Sequence, residues 1–171
     1  MKLATFLPPE SDIARAGEVR GREMVSFPEG TSVRELLATG ADATADDEPF
    51  PLEEVRLLAP VPDPGAIYAI GLNYAAHASE TGGEPPESPI VFVKVRNSVA
   101  PPGGPVRCPA VVRRLDYEGE LTAVIGSGGA VAGYAVADDV SARDLQKREL
   151  QWTRAKGADS FCPWGPWVTT A

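Results

Sequence analysis

The chain has few of the residues that build soft-metal and redox sites. Its 171 residues include one histidine and two cysteines. Cys108 and Cys162 lie far apart, and the sequence contains no C-x-x-C spacing. These counts argue against a zinc site made of cysteine and histidine. Cys162 stands between Phe161 and Pro163, and we expect it to be a buried, unreactive thiol.

Positive charge is also scarce. Sixteen lysines and arginines face 24 acidic residues, which gives a net charge of −8. This balance argues against nucleic acid or an anionic membrane as a partner, because both bind basic surfaces. The sequence has neither an apolar run long enough to span a membrane nor the apolar core of a signal peptide. A cytoplasmic protein with reduced thiols is therefore expected, and a small-molecule substrate stays open.

Hydrophobic residues make up 43% of the chain, which is enough for a folded core. The run PVPDPG at 60–65 is the strongest break in the pattern and predicts a boundary. We expect a small N-terminal module over 1–59 and a larger unit over 60–171. Short apolar runs outnumber helical patterns, so the predicted fold class is α+β and rich in β-structure.

The local patterns predict short elements separated by turns. A helix is expected over 33–38, capped by Thr31 or Ser32 and ended by Gly40. Residues 141–154 are expected to form one helix or two short ones. Strands are predicted over 2–7, 18–27 with a turn at Gly21, 55–58, 67–72 as a buried strand, 90–95, 121–125 and 131–140.

Paired acidic side chains mark the start of one predicted strand. Glu118 and Glu120 are two residues apart, so both point to the same face of a strand. A divalent cation between them would remove their mutual repulsion, and oxygen ligands suit Mg²⁺ or Mn²⁺. Asp139, at the end of the next apolar run, could be a third ligand. Taken alone, such a pair is more often a solvated strand face.

The single histidine lies beside a glutamate in helical spacing. His77 and Glu80 are three residues apart, so they would be neighbours on a helical turn. A carboxylate that orients an imidazole makes it a plausible general base for water. The alternative is an ordinary surface pair. The segment 81–89, rich in glycine and proline, follows directly and has the composition of a mobile lid.

Three further polar residues could act on a substrate. Lys156 could bind a carboxylate or stabilise an oxyanion, although a solvated lysine is the commoner case. Arg143 could equally form a structural ion pair, as could its neighbour Asp144. Gln146 could donate to a substrate or lie on a helix surface.

Five segments of the sequence form one ordered set. They are GLNYAAHASETG, PIVFVK, DYEGELTAVIG, GYAVADDVSARDLQ and QWTRAKGADSFCPWGPWV. In this order they resemble the fumarylacetoacetate hydrolase family. The resemblance covers roughly residues 60–171, and five linked segments are far more specific than any one motif. The segment before them resembles the small N-terminal module of many bacterial members.

The resemblance implies a metal site and a catalytic pair. Glu118, Glu120 and Asp139 fall on the family's metal-ligand positions, for Mg²⁺ or Mn²⁺ and sometimes Ca²⁺. His77 and Glu80 fall on the pair that activates water beneath a lid.

The resemblance also implies residues that face the substrate. Lys156 falls on the family's substrate-facing lysine. Gln146 falls on a position that contacts substrate in some members. We also expect Arg143 to bind substrate.

The family fold would be a mixed β-roll, usually dimeric. Members continue well beyond the position of Ala171, so an incomplete roll is expected. The implied function is metal-dependent hydrolysis of a C–C bond in an acylpyruvate or fumarylpyruvate-type β-diketo acid. The substrate would bind as a 2-oxo or enol carboxylate, and the reaction would pass through a metal-bound enolate. The alternatives are isomerisation of hydroxymuconate-type dienoates such as 2-hydroxyhepta-2,4-diene-1,7-dioate, decarboxylation of oxaloacetate-like acids, and a non-catalytic or inactive fragment.

Overall fold

The structure is a computed structural model that describes residues 1–41, 43–47, 49–74 and 86–171. Most regular structure in these ranges is β-strand, as the sequence predicts. None of the helices described there is long and apolar enough to cross a membrane.

The thirteen described strands are short, apart from three of seven to nine residues. They are β1 Lys2–Leu7, β2 Arg15–Arg20, β3 Glu23–Ser26, β4 Pro49–Pro51, β5 Arg56–Leu57, β6 Ile67–Gly71, β7 Ile90–Lys94, β8 Val99–Ala100, β9 Leu115–Asp116, β10 Gly119–Ile125, β11 Val131–Asp138, β12 Ser141–Ala142 and β13 Cys162–Thr170. The described helices are α1 Val33–Thr39, α2 Arg143–Gln146 and α3 Thr153–Lys156, with 3₁₀ turns at Arg96–Ser98 and Ser127–Gly129.

One sheet joins the two ends of the chain. Its strand order is β10-β11-β13-β1-β2-β3-β4, with β5 added beside β1 and β8 beside β13. The central pair is antiparallel, with Leu3 opposite Val168. Strands from 1–59 and from 60–171 therefore share one sheet, while the boundary between the two units stays a prediction. Two smaller sheets pair β12 with β9 and β6 with β7.

Helix α1 confirms the predicted capping. The Ser32 side chain accepts a hydrogen bond from the Glu35 backbone N–H at 3.1 Å. Gly40 ends the helix in the left-handed conformation, with φ of 66°, and its N–H donates to Leu36 O at 3.0 Å. Both ends therefore satisfy backbone groups that the helix itself leaves unpaired.

Two buried clusters position the elements around the site. The first packs α1 against the main sheet and includes Leu3, Phe27, Val33, Leu37, Trp164 and Val168. The second lies beneath α2 and α3 and contains Val112, Val140, Ala142, Leu145, Ala155 and Phe161. Burying a side chain of the size of Leu or Phe contributes about 1.5–3 kcal/mol. The second cluster therefore fixes the two one-turn helices that carry candidate site residues.

Two strand predictions need correction. The strand predicted as buried over 67–72 is β6, and its Tyr68 is 70% exposed. The prediction was wrong on burial because β6 pairs only with β7 in the described structure, which leaves one face of this hairpin uncovered. The longest strand, β13, was not predicted, since its CPWGPWVTT sequence contains two prolines and a glycine.

Candidate functional site

The acidic residues meet where β10 and β11 come together. Glu118 immediately precedes β10, and its backbone N–H donates to Asp138 Oδ1 at 2.8 Å. The Asp139 N–H donates in turn to Glu118 O at 2.9 Å. These two bonds fix the end of the strand pair. Glu118 and Asp139 are thus neighbours, and the Asp138 side chain accepts a hydrogen bond from the Glu118 backbone.

A cavity of about 460 Å³ opens at this end of the sheet. Glu118, Glu120 and Asp139 all line it. Arg143 and Lys156 line it as well. The remaining wall is formed by Ile70, Gly71, Leu72, Asn73, Tyr74, Asp116, Tyr117, Gly119 and Trp152. Five of the eight residues predicted for the site therefore surround one cavity.

Two lysines neutralise the buried aspartate. Lys156 Nζ lies 2.5 Å from Glu118 Oε2 and 2.5 Å from Asp139 Oδ2. Lys94 Nζ pairs with the other oxygen, Asp139 Oδ1, and donates to Lys156 O at 2.7 Å. The side chains of Lys94, Lys156 and Asp139 are 2%, 3% and 6% exposed. Since solvent screens such a cluster little, each charge depends on its partners.

Arg143 links the aspartate of β9 to the acidic strand. Its Nε donates to Asp116 Oδ2 at 2.8 Å and its Nη2 donates to Glu118 Oε1 at 2.7 Å. Its third nitrogen, Nη1, donates to Gln146 Oε1 at 3.0 Å. The pairing of Ser141 with Asp116 in the β12–β9 ladder places the guanidinium beside both carboxylates. Arg143 is thus held by ion pairs and also faces the cavity.

The two glutamates experience opposite electrostatic environments. Burial alone would raise the pKa of Glu118, but hydrogen bonds from Lys156 and Arg143 outweigh it and lower the pKa to about 2. Burial, together with repulsion from Asp139 and Glu118, raises the pKa of Glu120 to about 7. Among the described residues, no side-chain hydrogen bond or ion pair is found for the Glu120 carboxylate, so this group carries the excess negative charge of the cluster when it is ionised.

The donor set suits a hard divalent cation. All three carboxylates offer oxygen, the donor that Mg²⁺ and Mn²⁺ prefer. Within the described ranges, no group of three His, Cys, Asp or Glu side chains is arranged to coordinate a metal ion. Two of the carboxylates share the Lys156 ammonium instead. The three carboxylates thus fit a divalent cation in donor type and charge, and the Lys156 ammonium joins two of them, Glu118 and Asp139.

The remaining predicted residues have mixed outcomes. His77 and Glu80 lie outside the described residues, so their roles stay predictions. Gln146 accepts the Arg143 hydrogen bond and does not line the cavity. The prediction of a buried thiol is confirmed, since Cys162 is 3% exposed and burial raises its thiol pKa to about 11. Asp144 accepts hydrogen bonds from the Arg113 and Arg114 N–H groups.

Lys94 belongs to the site, although the motif analysis did not single it out. Its position in the burial pattern of β7 could have identified it. In β7, Ile90 and Phe92 are half-buried while Val91 and Val93 are exposed. Lys94 therefore occupies the inward register of an alternating strand, where an unpaired cation would be unstable. A lysine at such a position indicates a buried acidic partner, which here is Asp139.

Comparison with known proteins supports the resemblance directly. The model of the fumarylacetoacetate (FAA) hydrolase C-terminal family matches residues 66–171. The chain belongs to the fumarylacetoacetate hydrolase family. Rv2993c from Mycobacterium tuberculosis is 37% identical over 175 residues, covering 96% of this chain and 62% of that protein. The chain therefore spans less than two thirds of this relative.

Similar proteins in the family are named for different enzymatic activities. Oxaloacetate tautomerase YisK of Bacillus subtilis is 44% identical over 131 residues, covering 68% of this chain and 44% of that protein. The crystal structure of a 5-carboxymethyl-2-hydroxymuconate delta-isomerase from Mycobacterium smegmatis is 33% identical with a TM-score of 0.76. It covers 99% of this chain, and this chain spans 67% of it. The β-rich fold of the family is thus confirmed.

Proposed function

We propose that the chain forms the substrate site of an enzyme that interconverts the keto and enol forms of a 2-oxo carboxylate. The observation that carries this proposal is one cavity at which three carboxylates meet the cationic side chains of Lys156 and Arg143. Enolisation moves one proton from carbon to the carbonyl oxygen and needs no oxidant or reductant. A site for it needs cations that hold the carboxylate and a group that stabilises charge on oxygen.

We infer that Glu118, Glu120 and Asp139 hold Mg²⁺ or Mn²⁺, with Ca²⁺ as a further candidate. When bound, such a cation would polarise the 2-oxo group. The support is the donor type of the three carboxylates and their position on one cavity wall.

The chain's own residues would bind and orient the substrate. The Lys156 ammonium and the Arg143 guanidinium can donate to a substrate carboxylate or to the enol oxygen. Ile70, Leu72 and Trp152 form an apolar wall that suits the substrate's carbon chain and excludes water. Glycine at position 71 lets the backbone of β6 pack closely against the Trp152 ring, because a Cβ there would lie 2.8 Å from that ring.

C–C hydrolysis of an acylpyruvate is the second candidate. The spacing of His77 and Glu80 favours it, because hydrolysis requires an activated water in addition to the enol-stabilising site. Tautomerisation, isomerisation of a hydroxydienedioate and decarboxylation of an oxaloacetate-like acid use that shared site and need no activated water. The first two also need a base that takes the proton from carbon. A homodimer is also part of this proposal, on the ground of family membership, and sedimentation velocity tests it.

A substrate panel separates these reactions. Oxaloacetate, an acylpyruvate and a hydroxydienedioate would each be assayed with Mg²⁺ and with Mn²⁺. We expect Glu118→Ala to lower every activity by about a hundredfold or more. His77→Ala should bind metal normally, keep tautomerase activity and lose hydrolysis.

Three results would contradict the proposal. Full activity of Glu118→Ala in the presence of a chelator would refute the metal site. Loss of metal affinity in His77→Ala would refute the role of the histidine. Inactivity of a chain that melts cooperatively, on all three substrates, would favour a non-catalytic module.

A further inference from the structure

We propose that Lys156 and Lys94 divide two tasks at the metal site. Lys156 is an exchangeable counter-ion, whose ammonium leaves the carboxylates when a divalent cation binds. Lys94 is a positioning residue, which keeps Asp139 paired throughout. This inference rests on the metal site proposed above.

The Lys156 ammonium occupies the position that a metal ion would share. It contacts Glu118 Oε2 and Asp139 Oδ2, both at 2.5 Å, and its side chain is 3% exposed. Mg²⁺ binds carboxylate oxygens at about 2.0–2.1 Å. An ammonium at hydrogen-bonding distance from both oxygens leaves no room for a second cation between them. Binding of a divalent cation to this pair of oxygens therefore requires the ammonium to move.

The position of Lys156 allows this movement. The residue is the last of the one-turn helix α3, is followed by Gly157, and lines the cavity. Its Nζ also lies 5.1 Å from the centre of the Phe92 ring, where an aromatic face stabilises a cation. The ammonium therefore borders the cavity, and it already has a contact with Phe92 that does not depend on the two carboxylates.

The Lys94 ammonium is held by two acceptors, and Lys94 is not among the described residues that line the cavity. Its Nζ binds Asp139 Oδ1 and Lys156 O. Asp139 therefore keeps one buried partner when Lys156 leaves. Glu118 keeps Arg143 on Oε1 at 2.7 Å. Both carboxylates thus stay in place while the shared cation exchanges.

One consequence is that more hydrogen-bond donors of Lys156 would become available in the cavity. Two of the three N–H groups of the ammonium are held by Glu118 and Asp139, and these two could meet a substrate oxygen if a divalent cation replaced the ammonium. Because linkage is reciprocal, removing the ammonium must tighten metal binding.

The test measures Mn²⁺ affinity of the whole chain without substrate, by electron paramagnetic resonance of free Mn²⁺. We expect Lys156→Met to bind Mn²⁺ about ten- to a hundredfold more tightly than the unmodified chain, because it removes two hydrogen bonds between charged groups. Lys147→Met removes the same charge at an exposed site and should change the affinity less than about twofold. Lys156→Gln, which keeps an uncharged NH₂ donor, should show intermediate tightening and replaces Lys156→Met if that variant does not fold.

Each alternative result has a separate meaning. Unchanged or weaker Mn²⁺ binding in Lys156→Met would overturn the exchange and leave the metal site standing. Equal tightening in Lys147→Met would show that net charge alone causes the effect, and would also overturn it. Absence of Mn²⁺ binding in the unmodified chain and in every variant would overturn the metal site itself, and the exchange with it.

Discussion

Replacing Lys94 by methionine should destabilise the chain strongly, although the volume changes little. Lys94 Nζ pairs with Asp139 and donates to Lys156 O at 2.7 Å, in a region where its side chain is 2% exposed. The substitution leaves a buried carboxylate with one partner fewer and a backbone carbonyl without its donor. Breaking a buried ion pair typically costs about 3–5 kcal/mol.

The expected cost lies at the lower end of that range. Asp139 keeps the Lys156 ammonium on its second oxygen, so its charge is not left alone. We therefore expect the free energy of unfolding to fall by about 3 kcal/mol. For a chain of this length, 1 kcal/mol corresponds to about 2–4 °C in Tm, so the Tm should fall by about 6–12 °C.

Urea denaturation with a chelator present measures this change. The exposed control Lys147→Met should lie within about 0.5 kcal/mol of the unmodified chain. Lys94→Met combined with Asp139→Asn should be more stable than Lys94→Met alone, because no buried anion is left underpaired. A Lys94→Met variant within 1 kcal/mol of the unmodified chain, at an unchanged m value, would refute the account of a buried, mutually dependent ion cluster.

Two further predictions concern ionisation. At pH 8, iodoacetamide should alkylate exposed Cys108 on the order of a hundredfold faster than Cys162, because burial raises the thiol pKa of Cys162 to about 11. Native mass spectra should therefore show one adduct. Two adducts formed at equal rates would contradict the burial of Cys162. The lowered pKa of Glu118, about 2, stabilises the fold above the ordinary value near 4.5 and loses this effect as pH falls toward 2, whereas the raised pKa of Glu120, about 7, weakens the fold as pH rises from 4.5 to 7. With a chelator at pH 8, Glu118→Gln should therefore lower the free energy of unfolding and Glu120→Gln should raise it, each by about 1–2 kcal/mol after allowance for partial exposure. The effect of Glu118→Gln should vanish near pH 2, and that of Glu120→Gln below pH 4. Shifts of the same sign at pH 8 would exclude this electrostatic account.

Local rules predicted the elements whose signals are contained in a few neighbouring residues. Helix α1 is specified by Ser32 and Gly40, and β10 by alternation after the acidic pair. Strand β13 could not be predicted, because its pairing with β1 and β11 depends on segments far away in the sequence. Such pairing overrides the local signal of Pro163 and Pro166.

The same distinction applies to the site. Glu118 and Glu120 line one cavity, as their spacing suggested, although Glu118 immediately precedes β10 and is not part of the strand, and the family pattern adds Asp139. The ion pairs could not be predicted from spacing, because Lys94 and Lys156 come from elements 45 and 17 residues from Asp139. Only packing shows that both lysines address the same carboxylate, one on each oxygen.

The charge of the cluster connects the metal to the substrate. Four carboxylates surround the cavity, those of Asp116, Glu118, Glu120 and Asp139. Three cationic side chains pair with them, so the cluster has one net negative charge when all four are ionised. An anionic 2-oxo acid would be repelled by such a site.

Binding of a divalent cation would reverse that sign. The cluster would then carry one net positive charge, and the displaced Lys156 ammonium would face the cavity instead of the carboxylates. An anion would be attracted by the same residues that repel it without the metal. If the metal site proposed above is correct, the network of Lys94, Lys156 and Arg143 favours binding of the metal before the substrate. The three cations hold the carboxylates in place, but they do not supply enough positive charge to hold an anion as well.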